Sequence, residues 1–125
     1  MSPIISGVDV VYLHSQTPEL RAWFREVLGL APGYGDEHWQ EYVFPNGTRF
    51  ALDFPHEPLS AVEQQPVMIS FKVPDLAAAV TALQEKGVCF QPDGEGFIFD
   101  VGPTLVASFQ DPSGTWHQLS QPKKG

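Results

Sequence analysis

Cysteine is nearly absent from this chain of 125 residues. Cys89 is the only one, which rules out a disulfide within the chain and any metal site built from several cysteines. Its neighbours Val88 and Phe90 are apolar, so we predict a buried cysteine in a strand rather than a nucleophilic thiol. The sequence names no catalytic residue, since neither a metal-ligand spacing nor a triad spacing relates the four histidines. These are His14, His38, His56 and His117.

Long apolar runs are also lacking. No stretch approaches the roughly 20 apolar residues of a membrane helix. Residues 1–5 have neither the basic region nor the apolar core of a signal peptide. We therefore expect a cytoplasmic protein with no membrane association. Hydrophobic residues make up 42% of the chain, which suits one domain with a real core.

Basic residues are few. Seven Lys and Arg stand against 15 Asp and Glu, giving a net charge of −8. Such a surface repels phosphate backbones, so nucleic acid is a poor partner. The imbalance is strongest in residues 1–65, which hold nine acids and three arginines. This distribution favours a cationic ligand.

The first half of the chain predicts a strand over residues 4–13, followed by a helix. Thr17 suits a helix N-cap and Pro18 suits the first helical position. Apolar residues then follow at the spacing of one helical face, and Gly29 suits the position just past its end. The apolar residues are Leu20, Trp23, Phe24, Val27 and Leu28.

The second half repeats this order. A strand over 67–73 precedes Asp75 as a cap, and Gly87 closes the helix. The helical stripe is Leu76, Ala79, Val80 and Leu83. Turn signals follow in both halves, so each half predicts a strand, a helix and three strands. We predict modules over 1–54 and 66–121, joined by a linker over 55–65.

Three segments resemble the glyoxalase/bleomycin-resistance/extradiol-dioxygenase superfamily, which has the vicinal oxygen chelate fold. Residues 9–30 resemble its first strand and its "FY…LGL" helix end. Residues 73–88 resemble the strand and helix of its second half. Residues 109–114 resemble its "F-x-DP-x-G" turn before the last strand. The resemblance spans nearly the whole chain in the family's order.

The resemblance implies an α+β fold in which two βαβββ modules form a curved mixed sheet around a cavity, with helices on the convex face. It also implies a homodimer, because the family completes its sites by pairing modules. Many members bind a divalent metal as a Lewis acid, through His or Glu on four strands. Others bind antibiotics without a metal.

Strand alternation indicates which residues face a ligand. We place Val8, Val10 and Tyr12 towards the helix in the first strand, with Val11 and Leu13 opposite. Val67, Ile69, Phe71 and Val73, and likewise Phe50, Leu52 and Phe54, form the apolar sets of two later strands. A few polar groups on an apolar wall are typical of a small-molecule pocket. The predicted ligand-binding residues are Asp9, Arg49, Asp53, Met68, Ser70, Lys72, Trp116 and Gln118.

This chain has different residues at the positions that bind the metal in the family. The resemblance assigns them to Asp9, to Ala51 or Asp53, to Met68 and to Gln118, and none is His or Glu. A thioether is a poor ligand for the hard cations of the family. We therefore predict no metal cofactor. If a divalent metal does bind, its ligands would be Asp9, Asp53 and Gln118.

The sequence thus favours a protein that binds a small organic ligand without a metal, such as a cationic aromatic antibiotic. Asp9 and Asp53 would attract the cation, and Trp116 would stack on it. The alternative is a metal-dependent lyase, isomerase or dioxygenase with altered ligands. A third hypothesis is an interaction module whose cavity has no ligand.

Overall fold

The computed structural model describes residues 4–123. Within this range, two helices and eight strands follow in the order βαβββ-βαβββ, so the predicted α+β class and the repeated module are confirmed. The elements are β1 (Gly7–His14), α1 (Leu20–Glu26), β2 (Pro32–Gly35), β3 (Trp39–Val43), β4 (Arg49–Asp53), β5 (Val67–Lys72), α2 (Leu76–Glu85), β6 (Phe99–Asp100), β7 (Thr104–Gln110) and β8 (Trp116–Pro122). The limits proposed for the modules and the linker stay a prediction.

The chain divides into two compact units. The first unit comprises residues 10–68, with strand order β2-β3-β4-β1. The second unit combines the described residues 4–9 with 69–123, with strand order β5-β8-β7-β6. β1 runs parallel to β4 in the first unit, and β5 runs parallel to β8 in the second. The remaining ladders within each unit are antiparallel.

Helix α2 forms as predicted. The Asp75 carboxylate accepts a hydrogen bond from the Ala78 amide at 3.1 Å, which caps the first turn. Gly87 has φ of +93°, a conformation that favours glycine past a helix end. The predicted stripe packs on Val73, Phe90, Ala107 and Leu119 of the second unit, with Leu76 fully buried.

Helix α1 is shorter than predicted. The amides of Leu20 and Arg21 bond to carbonyls three residues earlier, so turns precede the helix and Thr17 is not its cap. Leu20 and Phe24 pack on Tyr42, Leu52 and Phe54. Trp23 and Val27 also belong to the apolar face from which we expect packing on the sheet, and that expectation is wrong for both. Trp23 is 45% exposed, and Val27, which caps the end of the helix, is 62% exposed.

Three further expectations need correction. Leu13 packs with the α1 cluster, so the predicted alternation of β1 is wrong for residues 10–14. Val67 is 45% exposed, whereas Phe71 and Val73 pack with α2 as predicted. Cys89 is exposed and lies outside the strands, next to the buried Phe90.

Candidate functional site

The sheet of the first unit has an apolar face and a polar face. Phe50, Leu52 and Phe54 pack with α1, so the intervening residues of β4 point the other way. Strand register brings further side chains to that second face: His14 pairs with Asp53, and Trp39 pairs with Asp53 from the opposite side. We call this surface the aromatic–acidic face, and it comprises Tyr12, His14, Trp39, Glu41, Arg49 and Asp53.

His14 and Asp53 form an ion pair on this face. The His14 Nε2 lies 3.3 Å from the Asp53 Oδ2, and the His14 side chain is only 5% exposed. The His14 Nδ1 lies 2.7 Å from the carbonyl oxygen of Gln65. Burial lowers the pKa of His14, but hydrogen bonds to Asp53 and Gln65 and the charges of Asp53 and Glu63 outweigh it. The pKa of His14 is therefore raised from 6.5.

Glu41 links two other members of the face. Its Oε2 accepts a hydrogen bond from the indole Nε1 of Trp39 at 2.9 Å. The same oxygen accepts one from the Arg49 Nη1 at 3.0 Å. The Glu41 side chain is 16% exposed, and the adjacent guanidinium compensates its charge. This arrangement fixes the orientation of the Trp39 ring.

Aromatic rings complete the face. The Tyr12 ring meets the Trp39 ring edge-on, with centroids 5.1 Å apart, and the His14 ring at 5.4 Å. Ala51 pairs with Tyr12 on one side and with Glu41 on the other, and it is fully buried. A partly exposed indole therefore stands directly across the ladder from a carboxylate that is 25% exposed.

A small cleft of about 160 Å³ adjoins His14. It is lined by His14, Ser15, Gln16, Leu59, Glu63, Gln64 and Pro66. Pockets for drug-sized ligands are typically about 300–1,000 Å³. The cleft by itself is therefore too small for a drug-sized ligand.

The second unit also has a polar face, and most of its polar groups are hydroxyls and amides. Register aligns Ser70 with Gln118, and Gln118 with Ser108, on the side away from α2. Ser70 is fully buried, and its hydroxyl has no hydrogen-bond partner among the described residues. The Ser120 hydroxyl donates to the Asp9 carboxylate at 3.0 Å. We call this surface the hydroxyl face.

The predicted ligand-binding residues divide between the units. Arg49, Asp53 and Met68 lie in the first unit, where Arg49 and Asp53 share the aromatic–acidic face. The second unit holds Asp9, Ser70, Lys72, Trp116 and Gln118. The predicted set did not include Tyr12, His14, Trp39 or Glu41, although the sequence offers Trp39 as an aromatic residue that could stack on a ligand. The signal that reveals them is strand register, which pairs His14 and Trp39 with Asp53.

The donors within each unit do not match the metal centres common in this type of fold. The described residues contain no group of three or more His, Cys, Asp or Glu that could hold a metal ion. Asp53 is engaged by His14, and the fully buried Met68 sulfur accepts a hydrogen bond from the Gln65 amide at 3.4 Å. Neither unit therefore offers a set of donors that fits a divalent metal.

Over the described range, no helix is long and apolar enough to cross a membrane.

Comparisons with known proteins agree with this fold. The family model of the Glyoxalase/Bleomycin resistance protein/Dioxygenase superfamily matches residues 9–119. Methylmalonyl-CoA epimerase from Mycobacterium tuberculosis is 15% identical with a TM-score of 0.75, over 99% of this chain and 93% of that one. A superfamily member from Vibrio splendidus 12B01 is 17% identical with a TM-score of 0.60, over 91% and 97%.

A third solved structure is a variant of methylmalonyl-CoA epimerase from Streptomyces coelicolor, in complex with 2-nitronate-propionyl-CoA. It is 17% identical with a TM-score of 0.70, over 96% of this chain and 99% of that one. At these identities the likeness concerns the fold alone. A search of the curated proteins finds no match.

Proposed function

We propose that this chain, which belongs to the glyoxalase/bleomycin resistance protein/dioxygenase superfamily, binds a small organic cation without a metal. The observation that carries the proposal is the cross-strand pair of Trp39 and Asp53. An indole ring attracts a cation through its π face, and a neighbouring carboxylate adds direct charge attraction. An aromatic cation carrying an ammonium group satisfies both.

The charges of the face support a cationic ligand. Glu41 is already compensated by Arg49 at 3.0 Å, so its charge contributes little to a ligand. Over residues 4–123, the ion-pair partner of Asp53 is His14, whose charge depends on pH. A cation that approaches Trp39 therefore meets Asp53 as the least compensated carboxylate of the face. The expected homodimer and cytoplasmic location belong to this same proposal.

Binding of phenyltrimethylammonium, followed by tryptophan fluorescence and calorimetry, tests the proposal. We expect saturable binding at pH 8 that is unchanged by EDTA, and weaker binding of the neutral isostere tert-butylbenzene. Asp53→Asn should weaken the cation more than the neutral isostere. Asp93→Asn, an exposed carboxylate in a loop of the second unit, serves as the matched control.

Two outcomes would contradict the proposal. Equal affinity for the cation and its neutral isostere would show that the carboxylate does not select charge. Binding that EDTA abolishes, together with turnover restored by a divalent metal, would favour the metal-dependent lyase, isomerase or dioxygenase. Methylmalonyl-CoA is a suitable substrate for that arm, because several of the structural neighbours are methylmalonyl-CoA epimerases.

A further inference from the structure

The segment between β4 and β5 forms one wall of the cleft, and its hydrogen bonds give that wall a fixed geometry. The Glu63 Oε1 accepts a hydrogen bond from the Ser60 amide at 3.0 Å, and the Ser60 hydroxyl accepts one from the Glu63 amide at 3.2 Å. This reciprocal pattern is a capping box, and here it holds a single turn over residues 60–64. The Glu63 carboxylate therefore has a defined position in the wall of the cleft.

The charge of Glu63 has no counter-ion within the described residues. Glu63 is the one acidic residue that lines the cleft, and the lining contains no Lys or Arg. Over residues 4–123, its side chain forms no ion pair. His14 also lines the cleft, but its ring nitrogens face the Gln65 carbonyl oxygen and Asp53 instead. The half-buried carboxylate of Glu63 is therefore available to a cation that enters the cleft.

Backbone carbonyls orient two glutamine amides of the lining. The Gln16 Nε2 donates to the Pro55 oxygen at 2.9 Å, and the Gln64 Nε2 donates to the Leu59 oxygen at 3.3 Å. Because a carbonyl oxygen only accepts, these bonds decide which end of each amide carries the nitrogen. Each carboxamide oxygen therefore lies on the side away from that carbonyl, where it is an acceptor for a further hydrogen bond.

The size of the cleft limits what can enter it. Its volume of about 160 Å³ is close to the roughly 150 Å³ of a protein cavity that binds benzene. A guanidinium group is smaller than benzene, and it is planar with several N–H donors around its edge. Such a group therefore matches both the volume of the cleft and the acceptor oxygens that line it.

We infer that the cleft is a separate binding site of the first unit, for a small cation that carries N–H donors, with an alkylguanidinium as the best match. One edge of the guanidinium donates to the Glu63 carboxylate in a charge-assisted hydrogen bond, and another edge donates to the amide oxygen of Gln16 or Gln64. A quaternary ammonium has no N–H donor and cannot satisfy these acceptors. The inference therefore goes beyond the proposed function and does not depend on it.

NMR titrations of the whole chain with three small probes, all at pH 7, test the inference. Methylguanidinium has both the charge and the donors, methylurea has donors without the charge, and tetramethylammonium has the charge without donors. We expect methylguanidinium to bind most tightly of the three. It should shift the backbone amide signals of residues 14–16 and 63–64, which line the cleft, and leave the Trp39 indole signal unchanged.

Glu63→Gln is the informative variant, because glutamine keeps the acceptor of the capping box and removes only the charge. It should weaken methylguanidinium by roughly fivefold, which is the difference between a charge-assisted and a neutral hydrogen bond. The affinity for methylurea should stay the same, which shows that the cleft is intact in the variant. Glu19→Gln changes an exposed carboxylate of the same unit that does not line the cleft, and as the matched control it should have no effect.

Acetyl-arginine amide carries the same head group on a peptide backbone and separates two sources of it. Tighter binding than methylguanidinium would assign the site to an arginine of a polypeptide, and weaker binding would assign it to a free alkylguanidine. Equal affinities for the three small probes would overturn the inference, as would a methylguanidinium affinity that Glu63→Gln leaves unchanged. Shifts confined to the Trp39 indole would also overturn it. None of these results bears on phenyltrimethylammonium, so the proposed function stands or falls separately.

Discussion

The two units use the same βαβββ order but present different chemistry on the faces opposite their helices. The first unit carries an ion pair, a Glu41–Arg49 pair and aromatic rings. The second aligns hydroxyl and amide groups, with Ser70, Ser108 and Ser120 buried. A shared backbone order thus fixes where a face lies, and the side chains at each position decide what it binds.

The two units also differ in how their helices are packed and capped. Helix α2 has three buried residues and a side-chain cap. Helix α1 has no buried residue and no side-chain cap. The buried cluster under α2 contains seven residues, whereas the cluster that contacts α1 contains three. We infer that the second unit contributes more of the packing energy through its helix, while the first unit carries the charged site.

The largest expected effect tests this difference in helix packing. Leu76 of α2 is fully buried, so Leu76→Ala should lower the free energy of unfolding by about 2–5 kcal/mol. Trp23 of α1 is 45% exposed, and Trp23→Ala should cost about 1 kcal/mol or less. Urea denaturation of both variants measures the two values. Equal losses would show that α1 is packed as firmly as α2.

A smaller effect concerns the helix caps. Asp75→Ala should cost about 1 kcal/mol, because it removes the acceptor of the Ala78 amide. Asp75→Asn keeps an acceptor and should recover most of that loss. Thr17→Ala should change the stability by less than about 0.5 kcal/mol, since Thr17 does not cap α1. Thermal melts of the three variants provide the measurement, and a large loss in Thr17→Ala would contradict the assignment.

Local signals in the sequence were sufficient to predict helix α2 and both of its ends. The Asp75 cap, the apolar stripe of α2 and the closing Gly87 each depend on residues within one turn of one another, and all three are confirmed. The same reasoning predicted a helix α1 that is longer than the observed one. Thr17 and Pro18 form turns with i to i+3 bonds, and an apolar spacing over residues 20–28 does not reveal which members are exposed.

Strand faces were predictable only where polarity differs between them. In β4, apolar Phe50 and Leu52 alternate with charged Arg49 and Asp53, and the predicted faces agree with the α1 cluster. In β1, residues 10–13 are apolar or aromatic in both alternating sets, so their pattern does not distinguish the two faces, and the chosen set is wrong. The His14–Asp53 pair depends on parallel pairing across 39 positions, which no local signal encodes.

The smallest expected effect compares how two histidine–aspartate pairs depend on pH. His14 has a raised pKa in the folded protein, so the stability it contributes is fully present below its unfolded value of 6.5 and is lost as pH rises through the folded value. Unfolding free energies measured from pH 5.5 to 8.5 should decline more in the unmodified protein than in His14→Gln. Parallel curves would show that His14 is not bound to Asp53.

The Asp111–His117 pair of the second unit affects stability at acidic pH instead. The Asp111 carboxylate accepts hydrogen bonds from the Ser113 hydroxyl and lies 2.8 Å from the His117 Nε2, and these contacts hold its pKa far below 3.8. Its contribution is present above 3.8 and is lost as pH falls towards the folded value. Asp111→Asn should therefore flatten the stability curve only below about pH 4, and His14→Gln should flatten it only above about pH 6. If both variants altered the same pH range, the two pairs would be coupled, and the separation of charge chemistry between the units would not hold.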